Sequence, residues 1–367
     1  MLPESNQLQF DIAAAQNHLY DSLLKIEPKL LNISDYNTSY LEGKISYIRN
    51  ELDVLGRLLY LVLAGSQHTL NDFVLVDYGG GSGIISFLAA ELGVGTVIYN
   101  DIYEVSCKDT KVLSDELGLT LDHIVCGDTS ELISYLQQKK IYINAVISYD
   151  VLEHIYDPAT HFKQLGRLQQ NPFRIAYASG ANIKNFRTAR SLQKRQKKVE
   201  NKNRKAKWGH KKRDSLRAYV EIRQDIISEY APELSCETVK QLAHSTRGLI
   251  RQDIEKCVDE FCQYGKISYH INHPTNTCDP NTGNWCEHLI DLQWLEQVVK
   301  DAGFSVKIIP GPYCAEGILL KKKSKSFLNV IMHFFGKKCL FLASYYILYA
   351  ELDGSNEQMS PSRQALI

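Results

Sequence analysis

Along the first seventy residues apolar positions recur at steps of three and four, as at Ile45, Ile48, Leu52, Leu55 and Leu59. That spacing places them on one helix face. From Phe73 onward, short runs rich in Val, Ile and Tyr alternate with helical stretches, which predicts a parallel sheet joined by crossover helices. Strands are expected at 73–76, 96–100, 124–126, 145–149 and 175–179. The alternation stops after Ser179. Helices are expected at 214–230, 236–244 and 251–264, followed by a turn-rich passage over 273–285. A helix over 291–302 and an apolar run over 304–309 then resume the earlier pattern. The expected organisation is a helical N-terminal cap (1–70), a sheet-forming core (71–182), a mainly helical insertion (183–285), completion of the sheet (286–353) and a loose polar tail (354–367).

The segment from 327 to 352 is conspicuously apolar, but its uninterrupted run, 339–350, has only 12 residues. A membrane span needs about 20. The run therefore reads as a buried strand, with shallow association at a membrane surface as the alternative. With 44% hydrophobic residues the chain can bury a sizeable core. Its first thirty residues contain Glu4, Asp11, Asp21 and Glu27 and lack the basic start and apolar block of an export signal, so a cytoplasmic location is expected. Nine scattered cysteines read as reduced thiols. The zero net charge hides an asymmetry. Between Lys184 and Arg217 stand 15 Lys or Arg against Glu200 and Asp214, which leaves a net of −13 elsewhere. Phe186 and Trp208 lie among these charges, and basic residues fall on every side of a helix drawn through 187–207. A solvated helix, an anionic small acceptor or lipid surface, and nucleic acid are the readings of this stretch.

The chemistry starts at Asp77-x-Gly79-x-Gly81-x-Gly83. Glycines at a strand-to-helix turn let the backbone approach a ligand closely. A phosphate-gripping P-loop would end in Gly-Lys-Ser/Thr, and here Ile84 and Ile85 follow Gly83. A dinucleotide turn would need glycine where Ile84 stands. An acid two residues before the first glycine suits an amino group instead. Asp101, 22 residues after Gly79, ends the next expected strand, where a carboxylate can accept from both ribose hydroxyls. Ile102 follows and could pack on an adenine face. Asp128 and Thr129 end the third strand, where Asp128 could accept from an exocyclic amino group. Each acid could instead cap the helix that follows it.

These residues, with 147–155 (Ile-Ser-Tyr-Asp-Val-Leu-Glu-His-Ile), Trp285-Cys-Glu-His-Leu and Ala302-Gly303-Phe304, resemble the class I S-adenosylmethionine-dependent methyltransferases. The resemblance runs over about 70–180 and 286–313. It implies a Rossmann-like α/β fold with a seven-stranded mixed sheet, order 3-2-1-4-5-7-6, whose seventh strand is antiparallel. Residues 304–309 would be its sixth strand and 345–352 its seventh. It also implies S-adenosylmethionine as cofactor, held by Asp77, Gly79, Gly81, Gly83, Asp101, Ile102, Asp128 and Thr129.

Methyl transfer needs an aligned acceptor, and a base if that acceptor is a hydroxyl. Tyr149, Asp150 and His154 are the candidates. Asp150, Glu153 and His154 are similar to the Glu-x-x-Glu-His metal ligands of ubiquinone-biosynthesis O-methyltransferases, but aspartate replaces the first glutamate. His270, His273, Cys278, Cys286 and His288 lack a Cys-x-x-Cys pair. No metal is expected. Trp285 and His288 are candidate acceptor contacts. By family habit the insertion covers a small or medium-sized metabolite, glycan or lipid precursor, methylated on oxygen. The alternatives are an RNA methyltransferase and a non-catalytic cofactor-binding scaffold.

Overall fold

The computed structural model describes residues 5–168, 172–206, 211–314 and 319–352. The expected tail, 354–367, and Trp208 lie outside the described residues. The chain divides into two compact units: Met1–Leu152, Pro158–Gly180 and Leu292–Ile367 form one, Glu153–Asp157 and Ala181–Asp291 the other.

The first unit opens with helices α1 (Ser5–Leu23), α2 (Asp35–Ile45) and α3 (Ile48–Leu63). It continues through β1 (Val74–Tyr78), α4 (Ile84–Leu92), β2 (Thr96–Asp101), α5 (Glu104–Leu117), β3 (His123–Cys126), α6 (Thr129–Lys139), β4 (Ala145–Tyr149), α7 (Pro158–Gly166) and β5 (Phe173–Ser179). The second unit holds α8 (Phe186–Asn201), α9 (Tyr219–Tyr230), α10 (Cys236–Ser245) and α11 (Arg251–Tyr264). The chain then returns to the first unit with α12 (Leu292–Asp301), β6 (Ser305–Pro310), α13 (Leu319–Phe335) and β7 (Tyr346–Leu352).

The seven strands form one sheet in the order β3-β2-β1-β4-β5-β7-β6. The first five run parallel, and β7 is antiparallel to both β5 and β6. This is the expected order. β1, β4 and β5 are buried almost throughout, as befits strands covered on both faces. The N-terminal helices share the sheet's core: Leu19 of α1 and Leu52, Leu55, Leu58 and Leu59 of α3 cluster with Phe87 and Leu88 of α4 and Ala176 of β5. Arg174 of β5 reinforces this, donating to the Val62 carbonyl at 2.7 Å and pairing with Glu351 of β7 at 3.0 Å.

Three elements differ from the sequence expectation. α9 starts at Tyr219 rather than 214, because Ser215 N donates to the Asp279 carboxylate at 2.6 Å and Leu216 O accepts from Arg204 N at 2.7 Å. The late apolar run contributes strand only from Tyr346; before it the chain forms α13 and a short 3-10 turn, Gly336–Cys339. The basic stretch forms α8, which ends at Asn201 and does have an inward face. Ala189, Gln196, Val199 and Glu200 are buried there. Half of that face is polar, so a hydrophobic pattern does not reveal it.

The second unit has its own apolar core, including Val199, Ile222, Ile226, Ile227, Leu242, Ile254 and Val258. Arg223 lies in it with no exposed surface. Its Nε donates to Ala243 O at 2.7 Å, its guanidinium pairs with Glu200, and Thr277 donates to the other Glu200 oxygen at 2.7 Å.

Candidate functional site

The strand order reverses between β1 and β4, and in open α/β sheets ligands bind beyond the carboxyl ends of the strands at such a point. Three predicted groups stand there: the glycine turn after β1, Asp101 at the end of β2, and Tyr149 with Asp150 at the end of β4.

The turn is held from below. Asp77 is fully buried and its Oδ2 accepts from Ser86 N at 3.1 Å and Ser86 Oγ at 2.8 Å, which fastens the end of β1 to α4. Its Oδ1 is buried without a hydrogen-bond partner. Burial pushes the Asp77 carboxyl up to about 7, against the bonds from Ser86; neighbouring Asp101 adds to the rise and Lys44 opposes it. Gly79 and Gly81 adopt φ of 69° and 56°. A Cβ on Gly79 would come within 2.6 Å of Val151, whereas one on Gly81 would meet nothing within 4 Å. The turn is therefore closed beneath Gly79 and open at Gly81. Asp101 anchors the open side: its Oδ2 accepts from Gly81 N at 2.9 Å and its Oδ1 from Tyr103 N at 2.7 Å. A carboxylate has about four lone-pair directions, so each oxygen retains capacity for a ligand hydroxyl. Ile102 beside it is 48% exposed, an apolar surface next to the acid. A buried acceptor lacking a donor, a turn with open space at its middle glycine, an acid and an exposed apolar side chain together fit an amino acid end, a ribose and a base.

Asp128 caps α6. It accepts from Ser130 N at 2.6 Å while Glu131 accepts from Asp128 N at 2.9 Å. Burial works to raise the Asp128 carboxyl, yet the bonds from Glu131 and Ser130 prevail and hold it below the usual range. The Thr129 hydroxyl faces inward, 2.8 Å from Tyr78 Oη and 2.7 Å from His161 Nδ1; His161 Nε2 lies 2.9 Å from Tyr177 Oη. Burial lowers His161 to about 3, so the imidazole stays neutral, with one ring nitrogen donating and the other accepting. This buried chain ties β1, α6, α7 and β5 together behind the turn. Sequence reading missed it because its members are far apart along the chain.

At the end of β4, Asp150 has a φ of 54° and accepts from Gly180 N at 2.8 Å through Oδ1. Burial raises the Tyr149 phenol far above its ordinary range, and the charges of Asp150 and Glu51 add to the rise. Tyr149 therefore keeps its proton and remains able to donate. Glu51 belongs to a second feature that sequence reading missed, the buried pair of Lys44 on α2 and Glu51 on α3. Burial disfavours the Lys44 charge, yet Glu51 outweighs it and the ammonium holds its proton beyond the usual lysine range. The signal available was a seven-residue spacing across a helix break, which by itself is weak.

Within the second unit, His154 Nδ1 lies 2.9 Å from Trp285 O. A carbonyl only accepts, so Nδ1 is the donor in this bond and Nε2 is the ring nitrogen not engaged by Trp285. Trp285 stacks on His288, with ring centroids 4.1 Å apart, and on Tyr156, 6.2 Å apart. Its indole donates to Tyr156 O at 3.1 Å, and Tyr156 Oη donates to Asp253 at 2.7 Å. Burial lowers His288 to about 3, with His273 adding to the fall. Trp285 and His288, both anticipated, thus form one aromatic stack with Tyr156. Among the described residues no group of three or more His, Cys, Asp or Glu is placed to hold a metal ion.

Residues 76–171 match the family described as a methyltransferase domain. No curated protein sequence matches the chain. Among solved structures the chain is similar to the YcgJ protein from Bacillus subtilis, with 12% identity over 41% of this chain and 59% of that one, TM-score 0.31. It is similar to an S-adenosylmethionine-dependent methyltransferase from Clostridium acetobutylicum, with 10% identity over 88% of this chain and 100% of that one, TM-score 0.41. It is also similar to the plantazolicin methyltransferase BpumL in complex with SAH, with 11% identity over 95% and 98% of the two chains, TM-score 0.36.

Proposed function

The chain carries a class I S-adenosylmethionine-dependent methyltransferase domain, and from that premise we propose that it methylates a hydroxyl of a small or medium-sized metabolite, glycan or lipid precursor. The cofactor supplies a methyl carbon activated by its sulfonium. The protein's own part is to hold the donor, align the acceptor in line with the methyl group and remove the acceptor's proton. Asp77 Oδ1 takes the amino group, the backbone of Gly79, Gly81 and Gly83 floors the amino acid end, Asp101 takes the ribose hydroxyls, Ile102 packs on the adenine, and Asp128 accepts from its exocyclic amino group. Thr129, whose hydroxyl is already bonded twice, holds the turn that presents Asp128. Trp285 and His288 contact the acceptor.

The observation that carries the choice of oxygen is the His154 tautomer. With Nδ1–H held on the Trp285 carbonyl, Nε2 is the ring nitrogen turned to the acceptor hydroxyl as general base. Asp150 and Tyr149, at the end of β4, orient the acceptor, with the Tyr149 hydroxyl able to donate to it. His154→Gln should lower kcat by about 10²–10⁴ while S-adenosylmethionine affinity by calorimetry stays unchanged. A kcat within threefold of the parent would remove the base from this account.

A second reading is RNA as acceptor. It is favoured by the outer face of α8, where exposed Arg187, Lys194, Lys197 and Lys198 form no ion pair among the described residues. Salt-sensitive RNA binding by the full chain, lost on reversing these charges, would support it; binding insensitive to that reversal would dismiss it.

A further inference from the structure

α13 and the turn after it present an apolar surface to solvent. Phe327 is 65% exposed, Val330 52%, Phe334 78%, Phe335 62% and Phe341 56%. Phe327, Val330 and Phe334 stand at i, i+3 and i+7, one above the other on a single helix face. The opposite face is occupied. Met332 is buried with Cys339 and Ala343, and Asn329 exchanges two hydrogen bonds of 2.8 Å with the Tyr313 backbone. The outward direction of the phenylalanines is thus fixed by what the inner face holds.

Along the sequence, the charges on either side of this surface have one sign. From 317 to 350 the sequence has no Asp or Glu, and six lysines flank the apolar residues: Lys321, Lys322, Lys323 and Lys325 on one side, Lys337 and Lys338 on the other. Lys337 pairs with Glu296 of α12, while exposed Lys323 and Lys338 have no ion pair among the described residues. α13 has 17 residues, about 25 Å of helix. Among the described residues no helix is long and apolar enough to cross a membrane. Large aromatics projecting outward, lysines at both ends and too little length to span are the features of a helix that lies in the headgroup region.

We propose that α13 and the 336–341 turn dock this protein on an anionic lipid surface, with Phe327, Val330, Phe334, Phe335 and Phe341 entering the headgroup and acyl boundary and Lys323 and Lys338 meeting lipid phosphates and carboxylates. A second copy is the poorer occupant. A two-fold interface sets the same patch against itself, which would bring the two lysine rims together at the edge of the contact. An anionic bilayer complements both the apolar centre and its rim. This inference does not depend on the identity of the acceptor.

The test is co-sedimentation of the full chain with vesicles of phosphatidylcholine alone and of phosphatidylcholine with about 30% phosphatidylserine. The parent protein should partition onto the mixed vesicles at least about tenfold better than onto the neutral ones. Phe327→Ser/Phe334→Ser should abolish that partition. Lys323→Glu/Lys338→Glu should weaken it about tenfold or more, in a manner mimicked by added salt. All four side chains are exposed, so each double variant should melt with the parent protein. Three results would overturn the proposal: no preference for anionic vesicles, partition untouched by the phenylalanine substitutions, or a concentration-dependent dimer in sedimentation velocity that those substitutions dissolve.

Discussion

Burial lifts Asp77 to about 7, and that has a consequence for the protein without cofactor. Between the ordinary carboxylate value and about 7 the folded chain binds this proton more tightly than the unfolded chain does. Stability from this group is therefore present at low pH and lost as pH rises through that window. Thermal melts of the cofactor-free protein should show Asp77→Asn gaining stability over the parent as pH goes from about 5 to about 8; an unchanged difference would deny the shift. At this scale the positions of the acids were legible before the structure, because Asp77, Asp101 and Asp128 stand at or just beyond the ends of successive strands whose apolar runs the sequence exposes. Their internal bonds were not. That Ser86 would hold one oxygen of Asp77, or that Thr129 would turn inward to His161, depends on side chains placed by elements distant along the chain.

Among the elements, the glycine turn separates fold from ligand binding. Gly79 and Gly81 share a left-handed backbone, but only Gly79 has a neighbour in the way. Gly79→Ala should cost about 2–5 kcal/mol in urea unfolding, from backbone strain plus overpacking against Val151. Gly81→Ala should cost about 1–2 kcal/mol yet weaken S-adenosylmethionine binding, because its methyl group enters the open side of the turn. Helix α8 makes a different point. A solvated helix was one of three readings of its fifteen basic residues, whereas Glu200, one of the two acids there, turns inward to a wholly buried Arg223. Glu200→Ala leaves that guanidinium without its partner and should destabilise the chain by about 3–5 kcal/mol by chemical denaturation. Arg223→Met/Glu200→Leu should recover most of the loss, since an apolar pair replaces a desolvated ionic one. α13 escaped the sequence pattern for the opposite reason. Phe327, Val330 and Phe334 lie on its solvent side, where an apolar composition alone gives no sign that they face outward.

For the molecule as a whole, the positions of most strands were legible because parallel strands buried on both faces leave short apolar runs at regular intervals, whereas their order, with β6 and β7 in the same sheet, was implied only by the resemblance to the class I methyltransferases. In open α/β sheets ligands bind where the strand order reverses, here between β1 and β4, and the residues found there are the glycine turn, Asp101 and Asp150. The insertion's own core was not legible in the same way, since Arg223, Glu200 and Gln196 fill positions that a hydrophobic count assigns to the surface. The central claim is that the turn after β1, braced by Asp101, holds S-adenosylmethionine. Isothermal titration of the full chain with S-adenosylmethionine tests it most directly. Saturable binding at a single site in the parent protein, absent in an Asp101→Ala variant with an unaltered circular dichroism spectrum, is the expected result; equal affinity in the two proteins, or no binding by the parent, would contradict it.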